Sequence, residues 1–203
     1  LFTTDEDNTD SHSYALVSGA GDTDNGSFII SNDELRTGAS FNFESQSSFS
    51  IRLQTTDLGS VTYEEAVTIT VNDVNDKPTD ITLNDYAFDE NLSVGSAIIT
   101  ITAVDEDASD VHTFVFNNDQ ASDNGLFAIF GNQIRINSTF DYETQSYYTV
   151  SISAYDIEGE VYTEQIILTV NDANDIPTDI ELSNASVFEN ASLGTFIAKL
   201  TSK

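Results

Sequence analysis

The run Val71-Asn72-Asp73-Val74-Asn75-Asp76-Lys77-Pro78-Thr79-Asp80-Ile81 returns as Val170-Asn171-Asp172-Ala173-Asn174-Asp175-Ile176-Pro177-Thr178-Asp179-Ile180, displaced by 99 residues. The copies differ only at Val74/Ala173 and Lys77/Ile176, so 9 of 11 positions match. A spacing of that size is a domain length, and it commits the chain to tandem units that each bury a core. Each copy ends a run of alternating apolar residues and then crowds carboxylates and an amide in front of a proline. Proline fixes φ and biases its predecessor toward extended backbone, so the next unit starts straight. Asp-x-Asn-Asp offers several hard oxygen donors within four residues, the kind Ca²⁺ prefers. The stretch therefore reads as a calcium-binding linker between domains.

Once the linker sets the register, other pairs appear. Thr4-Asp5-Glu6-Asp7 is echoed by Val104-Asp105-Glu106-Asp107, and Asp10-Ser11-His12 by Asp110-Val111-His112. Asp24-Asn25-Gly26 returns at Asp123-Asn124-Gly125, Phe41-Asn42-Phe43-Glu44 at Phe140-Asp141-Tyr142-Glu143, and Thr56-Asp57 at Tyr155-Asp156. Asp89-Glu90-Asn91 reappears as Phe188-Glu189-Asn190. These matches predict three segments: 1–79, a repeat lacking its first strands; 80–178, a complete repeat; and 179–203, the first strands of a third. Cut out of phase in this way, the chain is expected to be a fragment of something longer.

The local pattern is that of strands. Phe49, Ile51 and Leu53 alternate with polar residues, as do Val67, Ile69 and Val71. Tyr148, Val150, Ile152 and Ala154 repeat this, followed by Ile166, Leu168 and Val170. Period two with β-branched and aromatic residues predicts half-buried strands. The Asn-Gly steps at 25–26 and 124–125, with Gly59 and Gly159, predict tight turns. About seven strands per ~100 residues predict an all-β fold of tandem Greek-key β-sandwiches, immunoglobulin-like in class.

Composition narrows the partners. There are 35 Asp and Glu against 6 Lys and Arg, a net charge of −29. That excludes nucleic acid, which needs a basic footprint. Such self-repulsion destabilises a compact state unless cations neutralise it. There is no cysteine for disulfide or thiol chemistry. No apolar run approaches the ~18 residues of a membrane span.

Five motifs in the 80–178 repeat carry a resemblance to a known family. They are Glu90-Asn91, Asp105-Glu106-Asp107, Asp141-Tyr142-Glu143, Ala154-Tyr155-Asp156 and Asp172-Ala173-Asn174-Asp175, followed by Pro177. In this order they resemble the cadherin repeat, and the Pro-Thr-Asp-Ile continuation resembles the cadherin-like repeats of bacterial surface adhesins. The resemblance implies Ca²⁺ sites at the linkers. For the first linker it implies Glu44, Asp73, Asn75 and Asp76, with the Val74 carbonyl, facing Asp105, Asp107 and Asp156. For the second it implies Glu90, Asp141, Glu143, Asp172, Asn174 and Asp175. Asp5, Asp7 and Asp57 would serve a site ahead of residue 1. Asn42 stands where the family has Asp, which removes one negative ligand and predicts a weaker first linker.

The resemblance implies an extracellular, calcium-rigidified stalk or adhesive array that mediates cell adhesion. Partners would be other copies of the same repeats, in homophilic or head-to-tail contact, with residues 180–203 lending strands to the first repeat of another copy. The alternative is a calcium-dependent polysaccharide-binding module, using Tyr147, Tyr148, Tyr155 and Tyr162 against a sugar face. No nucleophile, phosphate-loop or zinc motif is present, so no enzyme is expected. An EF-hand loop from Asp22 would need glycine at 27 and glutamate at 33, where Ser27 and Asp33 stand; Asp22 and Asp24 read as turn residues. His12 and His112, equivalent in the two repeats, read as structural.

Overall fold

A computed structural model describes residues 1–6, 11–117 and 123–201. They form two compact units: Leu1–Ile81 with Ala103–Thr113 and Ala154–Tyr162, and Thr82–Thr102 with Phe114–Ser153 and Thr163–Lys203. The strands are β1 (Ser13–Leu16), β2 (Phe28–Ser31), β3 (Glu34–Thr37), β4 (Ser48–Thr56), β5 (Thr62–Thr70), β6 (Asp80–Leu83), β7 (Ala87–Asp89) and β8 (Ala97–Val104). They continue with β9 (Thr113–Phe116), β10 (Phe127–Phe130), β11 (Gln133–Ile136), β12 (Tyr147–Tyr155), β13 (Val161–Asn171), β14 (Glu181–Leu182) and β15 (Leu200–Thr201). Among the described residues no helix is long and apolar enough to cross a membrane.

In the first unit the sheet β1-β4-β5 and the hairpin β2-β3 enclose a small core. Alternation along β4 sends Phe49 and Ile51 inward, where they meet Phe28. Phe28, Phe41 and Phe49 pack with centroids 4.7–6.0 Å apart. Leu16, Leu35, Leu53, Val67, Ile69 and Val71 surround them, partly buried.

β6–β13 form two four-stranded sheets, β10-β11-β8-β6 and β7-β13-β12-β9. The chain passes between them from β8 to β9, β9 to β10 and β11 to β12, the Greek-key winding of a β-sandwich. The first strand divides between the sheets: β6 lies beside β8, while β7 runs parallel to β13 with Phe88 opposite Val170. Rings fill the space between the sheets, Phe88 against Phe127 at 5.8 Å and Phe140 at 4.9 Å, and Tyr148 against Phe140 at 4.9 Å. Ile99, Ile101, Ile134, Ile136, Val150, Ile152, Leu168 and Val170 complete this core. By contrast Phe188, the repeat partner of this region, is 92% exposed beside the short β14–β15 pair.

The tight turns expected at Asn25-Gly26 and Asn124-Gly125 are present. These steps lie in single-turn 3-10 helices, and neither glycine has a positive φ. The asparagine and the preceding aspartate act as clamps. Asp24 Oδ2 accepts from Ser50 N–H at 2.6 Å and Asn25 Oδ1 from Arg52 N–H at 2.9 Å. Asp123 Oδ2 and Asn124 Oδ1 do the same to Thr149 and Ser151 at 2.8 and 2.9 Å. The two-residue hairpin turns are Asn32-Asp33 and Gly131-Asn132, where Asn32 and Gly131 take φ of 57° and 61°.

Candidate functional site

Two carboxylate clusters gather from the linker motifs, one in each unit. In the first, Glu44, Asp73 and Asp107 bring carboxylate oxygens within 4.8 Å of one another, as do Glu44, Asp76 and Glu106. Glu44 and the Asp-x-Glu region enter from the turn before β4, Asp73 and Asp76 from the linker after β5, and Glu106 and Asp107 from the turn after β8. The linker is tied to that turn, to the end of β8 and to the turn between β12 and β13. Asp107 Oδ2 accepts from Asp76 N–H at 2.7 Å, Thr79 N–H donates to the Val104 carbonyl at 2.8 Å, and Asn75 Nδ2 donates to Asp156 Oδ2 at 2.9 Å.

Asp156, 6% exposed, is held by its own turn: Oδ1 accepts from Gly159 and Glu160 N–H at 2.6 and 2.8 Å. Gly159 takes φ of 92°, which favours glycine there. The hydrogen bond from Asn75, followed by those turn amides, holds Asp156 below the usual carboxylate value against the opposing effect of burial. Asp57 makes the equivalent turn, accepting from Val61 N–H at 2.8 Å. Asp105 accepts from His112 Nε2 at 2.9 Å and Asp5 pairs with His12 Nε2 at 3.1 Å. Val74 is exposed. Asp7 lies outside the described residues.

In the second unit, Glu90, Glu143 and Asp172 meet within 4.8 Å. Asn91 adopts φ of 60°, a left-handed turn that asparagine tolerates and that follows the inward-pointing Glu90. Glu90, 3% exposed, accepts from Tyr142 N–H through Oε2 at 2.7 Å and from Ala173 N–H through Oε1 at 2.8 Å. One side chain thus pins the mid-domain turn and the exit linker. Asn91 Nδ2 donates to Asp175 Oδ1 at 3.0 Å, and Asn174 Nδ2 to the Asp175 carbonyl at 3.2 Å. Asp141 turns inward to its own loop, taking Thr144 N–H and Oγ1 at 3.1 and 3.0 Å.

The crowding is visible electrostatically. A bond from its own backbone lowers the Glu44 value, but desolvation and the charges of Asp73, Asp107 and Asp76 outweigh it and the net shift is upward. Desolvation first, then Glu106, Asp107, Asp105 and Asp73, raise Asp76. Glu143 is raised in the same manner as Glu44, by desolvation and by Glu90, Asp175 and Asp172 against its own backbone bond. Carboxylates that hold each other's protons are ones a divalent cation would relieve.

Glu106 was missed from sequence because the middle residue of Asp-x-Asp reads as a spacer; the recurrence of glutamate there at Glu6 was the available signal. Asn42 supplies the reason for its placement. Asn42 Oδ1 accepts from Ser45 N–H at 2.6 Å, and its Nδ2 donates to Glu106 Oε2 at 2.6 Å. The residue that removes one negative charge thereby holds another carboxylate at the cluster.

The sequence and the fold have counterparts among known proteins. Residues 84–171 match the family of the cadherin domain. Protocadherin gamma-A10 of Pan troglodytes is 31% identical over 142 residues, covering 66% of this chain and 15% of that protein. Protocadherin Fat 4 of Homo sapiens is 30% identical over 196 residues, 91% of this chain and 4% of that protein. This chain thus spans only a small part of such relatives. In fold it resembles human protocadherin-24 EC1-2, with a TM-score of 0.64 at 17% identity over 83% of this chain and 85% of that one. Protocadherin Gamma B7 EC1-4 gives 0.63 at 21% identity, over 93% and 49%. The chain carries cadherin-like repeats, similar in sequence and fold to the protocadherins above.

Proposed function

We propose that the chain is a calcium-binding stretch of an extracellular adhesion protein, in which Ca²⁺ fixes the linkers between cadherin-like repeats. The observation that carries this is the Glu44, Asp73 and Asp107 cluster, with Asp76 and Glu106 beside it. Its donors are all hard oxygens, and Ca²⁺ accepts about 6–8 of them in flexible geometry, whereas Mg²⁺ demands an octahedron and dehydrates reluctantly. Glu44, Asp73, Asp76 and Asp107, with Glu106, would hold an ion there; Asn75 and Asp156 would brace it. Glu90, Glu143 and Asp172 would contribute ligands at the second linker, steadied by Asn91 and Asp175. Bound cation would replace mutual carboxylate repulsion with shared coordination, adding to the hydrogen bonds that already tie the linker.

Contact between copies of the repeats is the partner class favoured by kinship, since the structure of a relative is that of a protocadherin gammaB7 EC3-6 cis-dimer. The polysaccharide alternative fares less well. Tyr148 is buried in the core, and exposed Tyr147 and Tyr155 stand at opposite ends of β12, so they offer no shared platform. A bacterial surface origin has the Pro-Thr-Asp-Ile continuation behind it, while the relatives above are mammalian; the proposal therefore stops at an extracellular adhesion protein. Calorimetric titration with CaCl₂ and MgCl₂ tests it. Calcium uptake reduced by Asp107→Asn supports the reading, and heat from neither ion overturns it.

A further inference from the structure

The repeated histidines take no ligand position in the clusters above, yet each is tied to the first aspartate of an Asp-x-Asp motif. His112 Nε2 lies 2.9 Å from Asp105 Oδ2, with side chains 12% and 3% exposed. A carboxylate only accepts, so Nε2 carries the proton and donates. The other oxygen, Asp105 Oδ1, accepts from the Asp107 backbone N–H at 3.1 Å. Asp107 in turn takes Asp76 N–H on its Oδ2 and stands beside Glu44 and Asp73. The imidazole thus stands at the head of a continuous chain of hydrogen bonds that ends in the carboxylate cluster.

We infer that His112 is a positioning residue for the first linker's calcium site. With Oδ2 held by the ring and Oδ1 by the backbone, Asp105 cannot rotate, and the turn that aims Asp107 is set before any ion arrives. Ordering done in advance is not charged against binding, and partners outside the ligand shell tune metal affinity in this manner. The pairing recurs at His12 and Asp5, 3.1 Å apart, although the flanking residues are Ser11 and Ser13 rather than Val111 and Thr113. It therefore follows the motif rather than one local packing environment. The inference rests on the calcium reading above.

The test uses the whole chain. Calcium titrations of wild type, His112→Leu and His112→Gln are run beside thermal melts in chelator and an imidazole ¹⁵N spectrum. Leucine replaces the ring without a donor; glutamine restores an N–H at similar reach. The expected result is affinity about tenfold weaker in the leucine variant, largely recovered by glutamine, with chelator melts close to wild type. The spectrum should show the Nε2–H tautomer. Wild-type affinity in His112→Leu, a glutamine variant no better than leucine, or the opposite tautomer overturns the inference. If the leucine variant fails to fold, glutamine is compared with His112→Asn, whose shorter amide should not reach Asp105. Wild type that takes up no calcium removes the calcium reading itself; calcium binding indifferent to His112 removes only this residue's role.

Discussion

Glu90→Gln separates the two roles of the most buried acid in the second cluster. The substitution keeps shape but turns one carboxylate oxygen into an amide nitrogen. Glu90 receives two backbone N–H groups, from Tyr142 at 2.7 Å and Ala173 at 2.8 Å, one on each oxygen. Glutamine can satisfy only one. A hydrogen bond to a charged group contributes about 1.5–3 kcal/mol, and a stranded buried donor costs a similar amount. Removing a charge beside Glu143 and Asp172 works in the opposite direction, but only while no cation is bound. The loss should therefore be modest in chelator and reach about 2 kcal/mol in millimolar calcium, where the relief disappears and a ligand is missing. For a domain of this size that is about 8–16 °C in melting temperature. Parallel melts of both proteins, with calcium and with chelator, measure the difference of differences. Equal shifts in the two conditions would refute the ligand role, and no shift in either would refute the hydrogen-bond account.

Phe88→Ala removes the ring packed on Phe127 and Phe140 and with it the anchor of β7; it should cost about 3–5 kcal/mol, read as a lower urea midpoint at unchanged slope, and a loss below about 1 kcal/mol would contradict the packing described. Asn42→Asp adds a charge beside Glu106, so it should raise calcium affinity by calorimetry while lowering the melt in chelator; unchanged values in both would show that residue 42 does not feel the cluster. Acidification supplies a sign test. Glu44, Asp76 and Glu143 have raised values, so the folded state binds their protons more tightly, and metal-free stability grows as pH falls through those raised values toward the ordinary 4.5 and 3.8. Asp156, lowered, contributes stability above 3.8 that is lost as pH falls through its folded value. The chelated protein should therefore melt higher as pH falls from neutrality through those raised values and lower again in stronger acid, whereas the calcium-loaded protein should weaken throughout as protons compete with the ion. A steady fall from neutrality in chelator would contradict this.

Most of the sandwich was legible because alternation along Phe49-Ile51-Leu53 and Ile166-Leu168-Val170 maps directly onto buried strand faces. The linker acids were legible because the copy 99 residues away marked them off from the general acidity of the surface. What escaped reading depends on geometry that no local pattern encodes. The split of the first strand into β6 and β7 follows from pairing with β8 and β13, far away in sequence. Asn-Gly signals a tight turn by composition, but not that Asn25 and Asn124 accept from strand amides of β4 and β12 within a 3-10 turn. Glu106 reaches the cluster only because the Asp105–Asp107 turn and Asn42 bring it there.

The most direct test of the account is a thermal melt of the whole chain in millimolar calcium, in equal magnesium and in chelator. Extracellular calcium modules bind at about 10⁻⁴–10⁻³ M, and at tenfold excess over Kd each independent site adds about 1.4 kcal/mol. A rise of several degrees with calcium, largely absent with magnesium and reduced by Asp107→Asn, is the predicted result. Identical melts in all three conditions would mean that the clustered acids are surface charge and that the linkers gain no stiffness from the ion.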